Sequence, residues 1–322
     1  MATMNAAVVT SFDEPPHYQE FEVPQPASAQ EILVDVLAVG LHPRVRSGAA
    51  GTHYTSTGTL PMIPGIDGVG RRPDGRRIYF GAGDDVLGTM ADKALAHPRR
   101  AVDLPDEADA AKVAAAMNPA MSSWVALRRR VPLKPGQSVL VLGATGNAGT
   151  MAVQIARQLG AGRVIGAGRD SGRLAALASL GADEVVSLTG DGEATGRALG
   201  AAAGEADIVL DYLWGKPAQD AITALLTARS DRSREMNWIQ IGAVAGPAIE
   251  LPSAALRSAN LRLQGNGQGA IPAAAYLAEL PSLIEEITAG AIAVKPNAMP
   301  LADVEAAWTQ PDPPGQRTVL MP

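Results

Sequence analysis

The spacing of apolar and polar positions changes character near residue 138 of this 322-residue chain. Before it, residues 4–10 and 32–39 run apolar or alternate over strand lengths, separated by a proline-rich stretch at 15–26 that reads as a loop. Residues 49–64 are rich in Gly and Thr and show no period; a loop of that length is uncommon unless it is functional. Residues 65–83 mix glycines with short apolar pieces, which predicts a small twisted barrel. Residues 108–117 and 122–129 carry helical patterns, the second predicted to be capped by Ser122 or Ser123. From residue 138 strands and helices alternate. Strands are predicted at 138–142, 164–166, 184–186, 208–211, 238–241 and 261–264. Helices are predicted at 147–159, 171–180, 194–202, 217–226 and 253–258. That rhythm belongs to a doubly wound parallel sheet. The tail after residue 265, with a helix at 273–289, proline-rich connections and a strand at 318–321, is too small for a domain of its own. It is expected to return to the β-rich first part.

The switch itself is the most specific motif: Ser138-Val-Leu-Val-Leu-Gly-Ala-Thr-Gly-Asn-Ala-Gly149. It reads as a buried strand, a tight turn and the start of an apolar helix, which is the context a dinucleotide pyrophosphate needs. Ala144 takes the first place of the usual G-x-G-x-x-G pattern. Gly146 lets the backbone approach the phosphates, Gly149 lets the helix sit close to the strand, and the helix N-terminus offers N–H groups and a positive dipole end. Thr145, Asn147 and Ala148 complete the predicted cradle. The competing reading is an ordinary strand–turn–helix.

The end of the next strand says which dinucleotide. An NAD site places a carboxylate there for the ribose hydroxyls. Here the position falls at Gly168, followed by Arg169 and, one turn on, Arg173. A guanidinium suits a 2′-phosphate, so NADPH is the expected cofactor. The alternative makes Arg169 a solvated loop charge and gives the ribose to Asp170.

Composition narrows the class. With 47% hydrophobic and 19% charged residues the chain suits a globular protein of two domains. The net charge of −6 argues against a nucleic-acid partner, and the absence of cysteine excludes disulfides and thiolate metal sites. No long apolar run is present, so no membrane partner and a cytoplasmic location are expected.

With these residues in view, the chain resembles the medium-chain dehydrogenase/reductase superfamily, closest to its zinc-free quinone oxidoreductase branch. The resemblance rests on Leu37-Ala-Val-Gly-Leu-His-Pro43, Pro61-Met-Ile-Pro-Gly-Ile-Asp-Gly-Val-Gly70, Gly88-Thr-Met-Ala-Asp92, Met121-Ser-Ser-Trp124, the run from Leu133-Lys-Pro-Gly136 through Gly149, and Leu261-Arg-Leu-Gln-Gly-Asn-Gly-Gln-Gly269. It implies an α/β chain with a GroES-like β-rich catalytic domain (1–118 and 265–322), a doubly wound Rossmann domain (119–264), an active site in the cleft between them, and a homodimer. The segment from Val69 to Tyr79 is shorter than in most relatives. Zinc-dependent relatives take catalytic ligands from positions that fall here at His42, Ile66 and Asn118. An isoleucine cannot ligate a metal, and an imidazole with a neutral amide is a poor zinc set, so no metal is expected.

Without a metal, a quinone or α,β-unsaturated carbonyl is the easier small-molecule substrate, because charge arriving with hydride spreads over a conjugated system. The resemblance implies that His42 faces the nicotinamide, where it could give or take a proton; its other reading is a structural histidine before a proline. Tyr54, beside His53 in the long loop, either donates to the substrate or only stacks. Asn118 and Ser122 are placed against the nicotinamide, or are simple helix-start residues. Asp67 is read as structural, bonded to backbone or an arginine, with a general base as its other reading. Gly242, Ala243 and Val244, together with Gly265, Asn266 and Gly267, are implied to line the nicotinamide pocket, or are plain turns. Tyr212 is assigned to the adenosine side. Trp124, Trp214, Trp238 and Trp308 are read as core or interface. The expected function is an NADPH-dependent oxidoreductase acting on quinones or enones. The alternatives are a metal-independent carbonyl reductase or alcohol dehydrogenase, and an NADPH-binding redox sensor or structural protein with little turnover.

Overall fold

The computed structural model describes residues 2–267 and 269–322; Met1 and Gln268, the latter inside the last motif above, lie outside the described residues. The chain forms two compact units, one of Met1–Pro119 with Ala274–Pro322 and one of Ala120–Ala273. The expected second boundary, at 264/265, lies nine residues earlier than the observed one.

The first unit opens with an antiparallel pair, β1 (Thr3–Val8) and β2 (His17–Glu22), in register from Thr3 opposite Glu22 to Val8 opposite His17. β2 falls inside the stretch predicted as a loop. Its sequence HYQEFE is polar and mostly exposed, so it carries almost no hydrophobic signal and is held by its partner strand. There follow β3 (Ile32–Gly40), α1 (Pro43–Ala49), β4 (Asp67–Arg71), β5 (Arg77–Gly81), β6 (Lys93–Ala96), β7 (Ala101–Asp103) and α2 (Ala110–Val125). β4 and β5 form a hairpin with Arg71 opposite Arg77, which is how the short segment between Val69 and Tyr79 is accommodated.

Two expectations about α2 are corrected. The predicted helices at 108–117 and 122–129 are one continuous helix that runs through Pro119 and ends in a π-helical turn, Ala126–Arg130. Ser122 and Ser123 are therefore interior residues and not caps; Ser123 Oγ donates to the Ala120 carbonyl at 3.2 Å. Proline costs a helix one rung. Here Val113–Met117 on one side and Ala120, Met121, Trp124 and Val125 on the other are all buried, and that packing outweighs the lost rung.

The second unit alternates as predicted: β8 (Ser138–Leu142), α3 (Asn147–Gln158), β9 (Arg163–Gly168), α4 (Ser171–Ala176), β10 (Glu184–Ser187), α5 (Gly192–Ala203), β11 (Ile208–Asp211), α6 (Gly215–Ala228), β12 (Met236–Gln240), α7 (Ser253–Ser258) and β13 (Leu261–Gly265). The six strands are parallel, in the order β10-β9-β8-β11-β12-β13. This is the doubly wound Rossmann order, whose direction reverses between β8 and β11. β13 pairs with β12 over five positions, from Met236 opposite Leu261 to Gln240 opposite Gly265. Those ladder bonds carry the unit past residue 264. The core is filled from the sheet and from α5 and α6, with Trp238 its largest fully buried side chain.

The chain then returns to the first unit through α8 (Ala273–Leu277), α9 (Leu280–Thr288), β14 (Lys295–Pro300), α10 (Val304–Thr309) and β15 (Gln316–Met321). The helix predicted over 273–289 is two helices, with Pro281 in the first turn of the second. β14 was hidden among prolines; it pairs parallel with β15. β15 in turn pairs antiparallel with β3 through Val319 opposite Gly40 and Leu320 opposite Val39, so the tail completes the sheet β14-β15-β3-β4-β5-β7.

Candidate functional site

In the second unit the site starts where β8 turns into α3. The amides of Gly143 and Ala144 both donate to the Ala167 carbonyl at 2.9 Å, and Gly146 N donates to the Gly143 carbonyl at 3.0 Å. These bonds tie the turn to β9. At Gly149 the helix touches the turn: an added Cβ would lie 2.2 Å from the Gly143 oxygen and 2.7 Å from Ala144 Cα. No other residue fits there. Gly146 is the cap of α3 and offers no side-chain acceptor, and the first turn, with half-buried Asn147 and Ala148, carries no acidic residue. The positive end of the helix is thus left for an external anion.

β9 ends at Gly168, directly under this turn. A Cβ at Gly168 would meet Thr145 Cγ2 at 2.6 Å and Oγ1 at 2.7 Å. The strand end therefore has no room for the carboxylate that an NAD site places there. Asp170 is occupied otherwise: its Oδ1 accepts from Arg173 N at 3.0 Å and caps α4, and its Oδ2 lies 3.6 Å from Arg173 Nε. Arg173 also donates to the Thr145 carbonyl at 2.9 Å, so its guanidinium is fixed beside the glycine turn. Arg169 is exposed, and none of the ion pairs among the described residues involves it.

A second group of residues gathers at the ends of β11, β12 and β13. Asp211 is fully buried. Its Oδ1 accepts from the amides of Leu213 (2.8 Å) and Trp214 (3.0 Å), its Oδ2 from Trp238 Nε1 (3.0 Å), and its carbonyl from Ile241 (2.7 Å) and Gly242 (3.1 Å). Burial raises its pKa even against these bonds. Trp214, held by the same carboxylate, has φ of +52°, a conformation that costs a non-glycine residue energy. The Tyr212 hydroxyl lies 3.0 Å from Ser122 Oγ, and Asn266 Nδ2 donates to the Ser122 carbonyl at 2.8 Å. Asn266 is 5% exposed and its Oδ1 has no hydrogen-bond partner. Beside it Trp214, Gln240, Ala243, Pro247, Leu263, Gln264 and Gly265 line an open hollow of about 250 Å³. Val244 and Gly267 are exposed on the bordering loops. Ser122, Tyr212, Gly242, Ala243, Gly265 and Asn266, far apart in sequence, are thus neighbours here. Asp211 and Trp214 were not predicted as site residues, although an acidic residue ending a buried strand was the available signal.

In the first unit, His42 closes β3 as the cap of α1 and is 1% exposed. Its Nε2 lies 3.5 Å from Asp67 Oδ1, beyond hydrogen-bond geometry, while Tyr79 Oη donates to Asp67 Oδ2 at 2.6 Å. The expectation that Asp67 bonds to backbone or an arginine is corrected: a phenol and an imidazole face its carboxylate. Tyr54 is 72% exposed and rests on His53, ring centroids 4.2 Å apart. Burial, and then the Arg44 charge, push His53 down to about 4. Tyr276, half-buried, has its phenol raised by burial and then by Tyr54. Asn118 is half-buried in α2. Tyr79 and Tyr276 carried no sequence signal, since each sits where an ordinary core residue would. Three of the tryptophans are structural: Trp238 is core, Arg128 lies 4.9 Å over the Trp124 ring and Arg46 5.3 Å over Trp308; Trp214, read as core or interface, instead lines the hollow.

Among known proteins, the zinc-binding dehydrogenase family matches residues 148–233. The probable NADPH-dependent quinone reductase TdiC of Emericella nidulans is 31% identical over 99% of this chain and 100% of its own length. The chain belongs to the medium-chain dehydrogenase/reductase superfamily, in its quinone oxidoreductase-like branch. The quinone oxidoreductase of Pongo abelii is 36% identical, and that match spans about half of each chain, 52%. The quinone oxidoreductase of Thermus thermophilus, solved also with NADPH, superposes with a TM-score of 0.78 at 26% identity, over 99% of this chain and 100% of that one. Of His42, Ile66 and Asn118, the residues expected at the ligand positions of zinc-dependent relatives, Ile66 has no atom that can ligate a metal. Among the described residues no three His, Cys, Asp or Glu side chains converge, and beside His42 the one acid in reach is Asp67, its Oδ1 3.5 Å from His42 Nε2. Such a set does not fit a catalytic zinc. No helix of the described residues is long and apolar enough to cross a membrane.

Proposed function

We propose that this chain is an NADPH-dependent reductase of quinones and α,β-unsaturated carbonyls that works without zinc. The observation that carries the cofactor assignment is the end of β9, where Thr145 excludes any side chain at Gly168 while Arg169 is exposed and Arg173 is fixed alongside. A site built this way has two guanidinium groups for a 2′-phosphate, no carboxylate at the strand end itself, and an Asp170 carboxylate already engaged with Arg173 and the α4 cap. The uncapped turn at Gly146 to Gly149 suits the pyrophosphate. The buried, unpartnered Oδ1 of Asn266 suits a carboxamide donor such as that of nicotinamide. Bound there, the cofactor supplies a hydride from nicotinamide C4. The rest is the work of the chain. Ala144 to Gly149, Arg169 and Arg173 hold the phosphates, and Ser122, Gly242, Ala243, Val244, Gly265, Asn266 and Gly267 orient the other end; Tyr212, expected on the adenosine side, is assigned to this end instead because its hydroxyl lies 3.0 Å from Ser122 Oγ. His42 holds a proton for the oxygen of the acceptor, with Tyr54 and Asn118 as further polar contacts. The quinone half of the reading is supported by the relatives' names and by the chemistry: with no metal to stabilise an alkoxide, a conjugated acceptor is the one whose anion needs least help.

A homodimer goes with this reading. β13 is an edge strand of the six-stranded sheet, and Leu263 on it and Val244 beside it are exposed apolar side chains, at 39% and 76%.

The test is loss of NADPH absorbance with a panel of quinones, enones and ketones. Quinone or enone turnover is the expected result. Turnover of ketones alone would replace this function by carbonyl reduction. Tight NADPH binding with no acceptor would replace it by a sensing or structural role.

A further inference from the structure

Three buried polar groups in the first unit are not explained by a lone histidine. His42, Asp67 and Tyr79 are 1%, 5% and 3% exposed. Asp67 on β4 lies opposite Gly81 on β5, so Tyr79, two residues back, is its diagonal neighbour on the same face. Thr89 Oγ1 donates to the Asp67 carbonyl at 2.7 Å and pins the strand. The His42 ring abuts the end of β3: a Cβ at Gly40 would lie 2.5 Å from Cε1 and 2.6 Å from Nε2. Neither ring nitrogen has a hydrogen-bond partner, and neither has Asp67 Oδ1.

Burial, and then the Asp67 charge, raise the Tyr79 phenol well above its ordinary value. Tyr79 therefore stays an O–H group and donates, which makes Asp67 the acceptor at Oδ2. The other oxygen, Oδ1, is left facing His42 Nε2 and requires a donor. A proton on Nε2 puts the lone pair of the neutral ring on Nδ1. Buried and unpaired, Nδ1 is unfavourable unless a bound molecule meets it.

We propose that Asp67 and Tyr79 are positioning residues that hold His42 as its Nε2–H tautomer, and that Nδ1 is the atom this chain presents to the substrate oxygen. The proposal rests on the reductase reading above. In its doubly protonated form His42 turns one N–H toward Asp67 and the other toward the acceptor. As hydride adds to the conjugated carbon, the oxygen gains the electron pair. The Nδ1–H bond breaks, an O–H bond forms, and the ring is left neutral with Nε2–H still facing the carboxylate. The acceptor gains two electrons, one hydrogen from the hydride and one from His42; a water proton then restores Nδ1.

The chain has four histidines, so long-range proton–nitrogen NMR of the NADP⁺-saturated protein can assign His42 by its loss in His42→Gln. The neutral His42 is expected as Nε2–H in the wild type and as a mixture of tautomers in Tyr79→Phe. The same variant is expected to lose about 10-fold in kcat with a quinone while KM for NADPH stays unchanged. A wild-type His42 protonated at Nδ1 overturns the proposal, and so does a Tyr79→Phe protein with wild-type tautomer and kcat. Should Tyr79→Phe not fold, the wild-type spectrum alone decides. A wild type that binds NADPH but oxidises it with none of the quinones, enones or ketones offered would defeat the reductase reading, while the tautomer measurement would still judge the array.

Discussion

Single residues settle the cofactor question, because each acts through one or two contacts that can be removed. Arg169 is exposed and outside every ion pair among the described residues, so Arg169→Ala is expected to leave the fold intact. On the proposed reading it weakens NADPH binding about 10-fold to 100-fold, the range for hydrogen bonds to a charged group, and leaves NADH nearly unchanged. Calorimetric titration with both nucleotides checks this, and equal weakening of the two would remove the 2′-phosphate assignment. His53 gives a pH prediction. Its pKa is lowered in the folded chain to about 4 from 6.5, so between those values the unfolded chain binds more protons. Stability therefore rises with pH across that window and is lost as the pH falls through it. A thermal melt series from pH 7 to pH 4 should show a shallower decline in His53→Gln than in the wild type. These residues differ in how far sequence alone could read them. Arg169 and Gly168 were legible, since their meaning depends on a count along the chain. Asp211, Tyr79 and Tyr276 were not, because an acid or phenol at an apolar position acquires a role only from what folds against it.

Elements carry the geometry that single residues exploit. The contact of α3 with the turn after β8 depends on Gly149, where the backbone leaves no room for a side chain. Gly149→Val is expected to cost at least about 2 kcal/mol, by analogy with overpacked cores, and to abolish nucleotide binding. Denaturant melts and NADPH titration measure the two effects separately. The end of β9 makes a subtler prediction. Gly168→Asp, the obvious route to NAD preference, forces the new Cβ into Thr145. Alone it should lower Tm and bind neither nucleotide well. Combined with Thr145→Ala, which removes the two closest atoms, it should recover stability and favour NADH. If the single variant is as stable as the wild type, the steric account of this strand end is wrong. Strand–helix alternation from residue 138 was plain in the sequence because buried strands and amphipathic helices repeat their periods cleanly. β2 and β14 were not, since a polar edge strand and a strand containing prolines owe their shape to their partners. The continuity of α2 through Pro119 was equally hidden, as burial on both sides overrode a local breaker.

At the scale of the whole molecule, ligand binding should appear as stability. A nucleotide that binds only the folded chain adds about 2.7 kcal/mol at 100 times its Kd. NADPH should therefore raise Tm well above the value reached with the same concentration of NADH, as differential scanning fluorimetry would report. An equal rise with both nucleotides would contradict the reading of the β9 end. By itself the amino-acid order determined the architecture of the second unit, the position of its glycine turn and the absence of an acid at the strand-end position Gly168, because hydrophobic period and local spacing are properties of neighbours along the chain. Only the folded structure decided that the returning tail pairs β15 between β14 and β3, that Thr145 guards Gly168, that Ser122, Tyr212 and Asn266 meet, and that a phenol and a carboxylate stand behind His42. Those facts are contacts between residues tens to hundreds of positions apart, and no local pattern encodes which distant side chain will arrive.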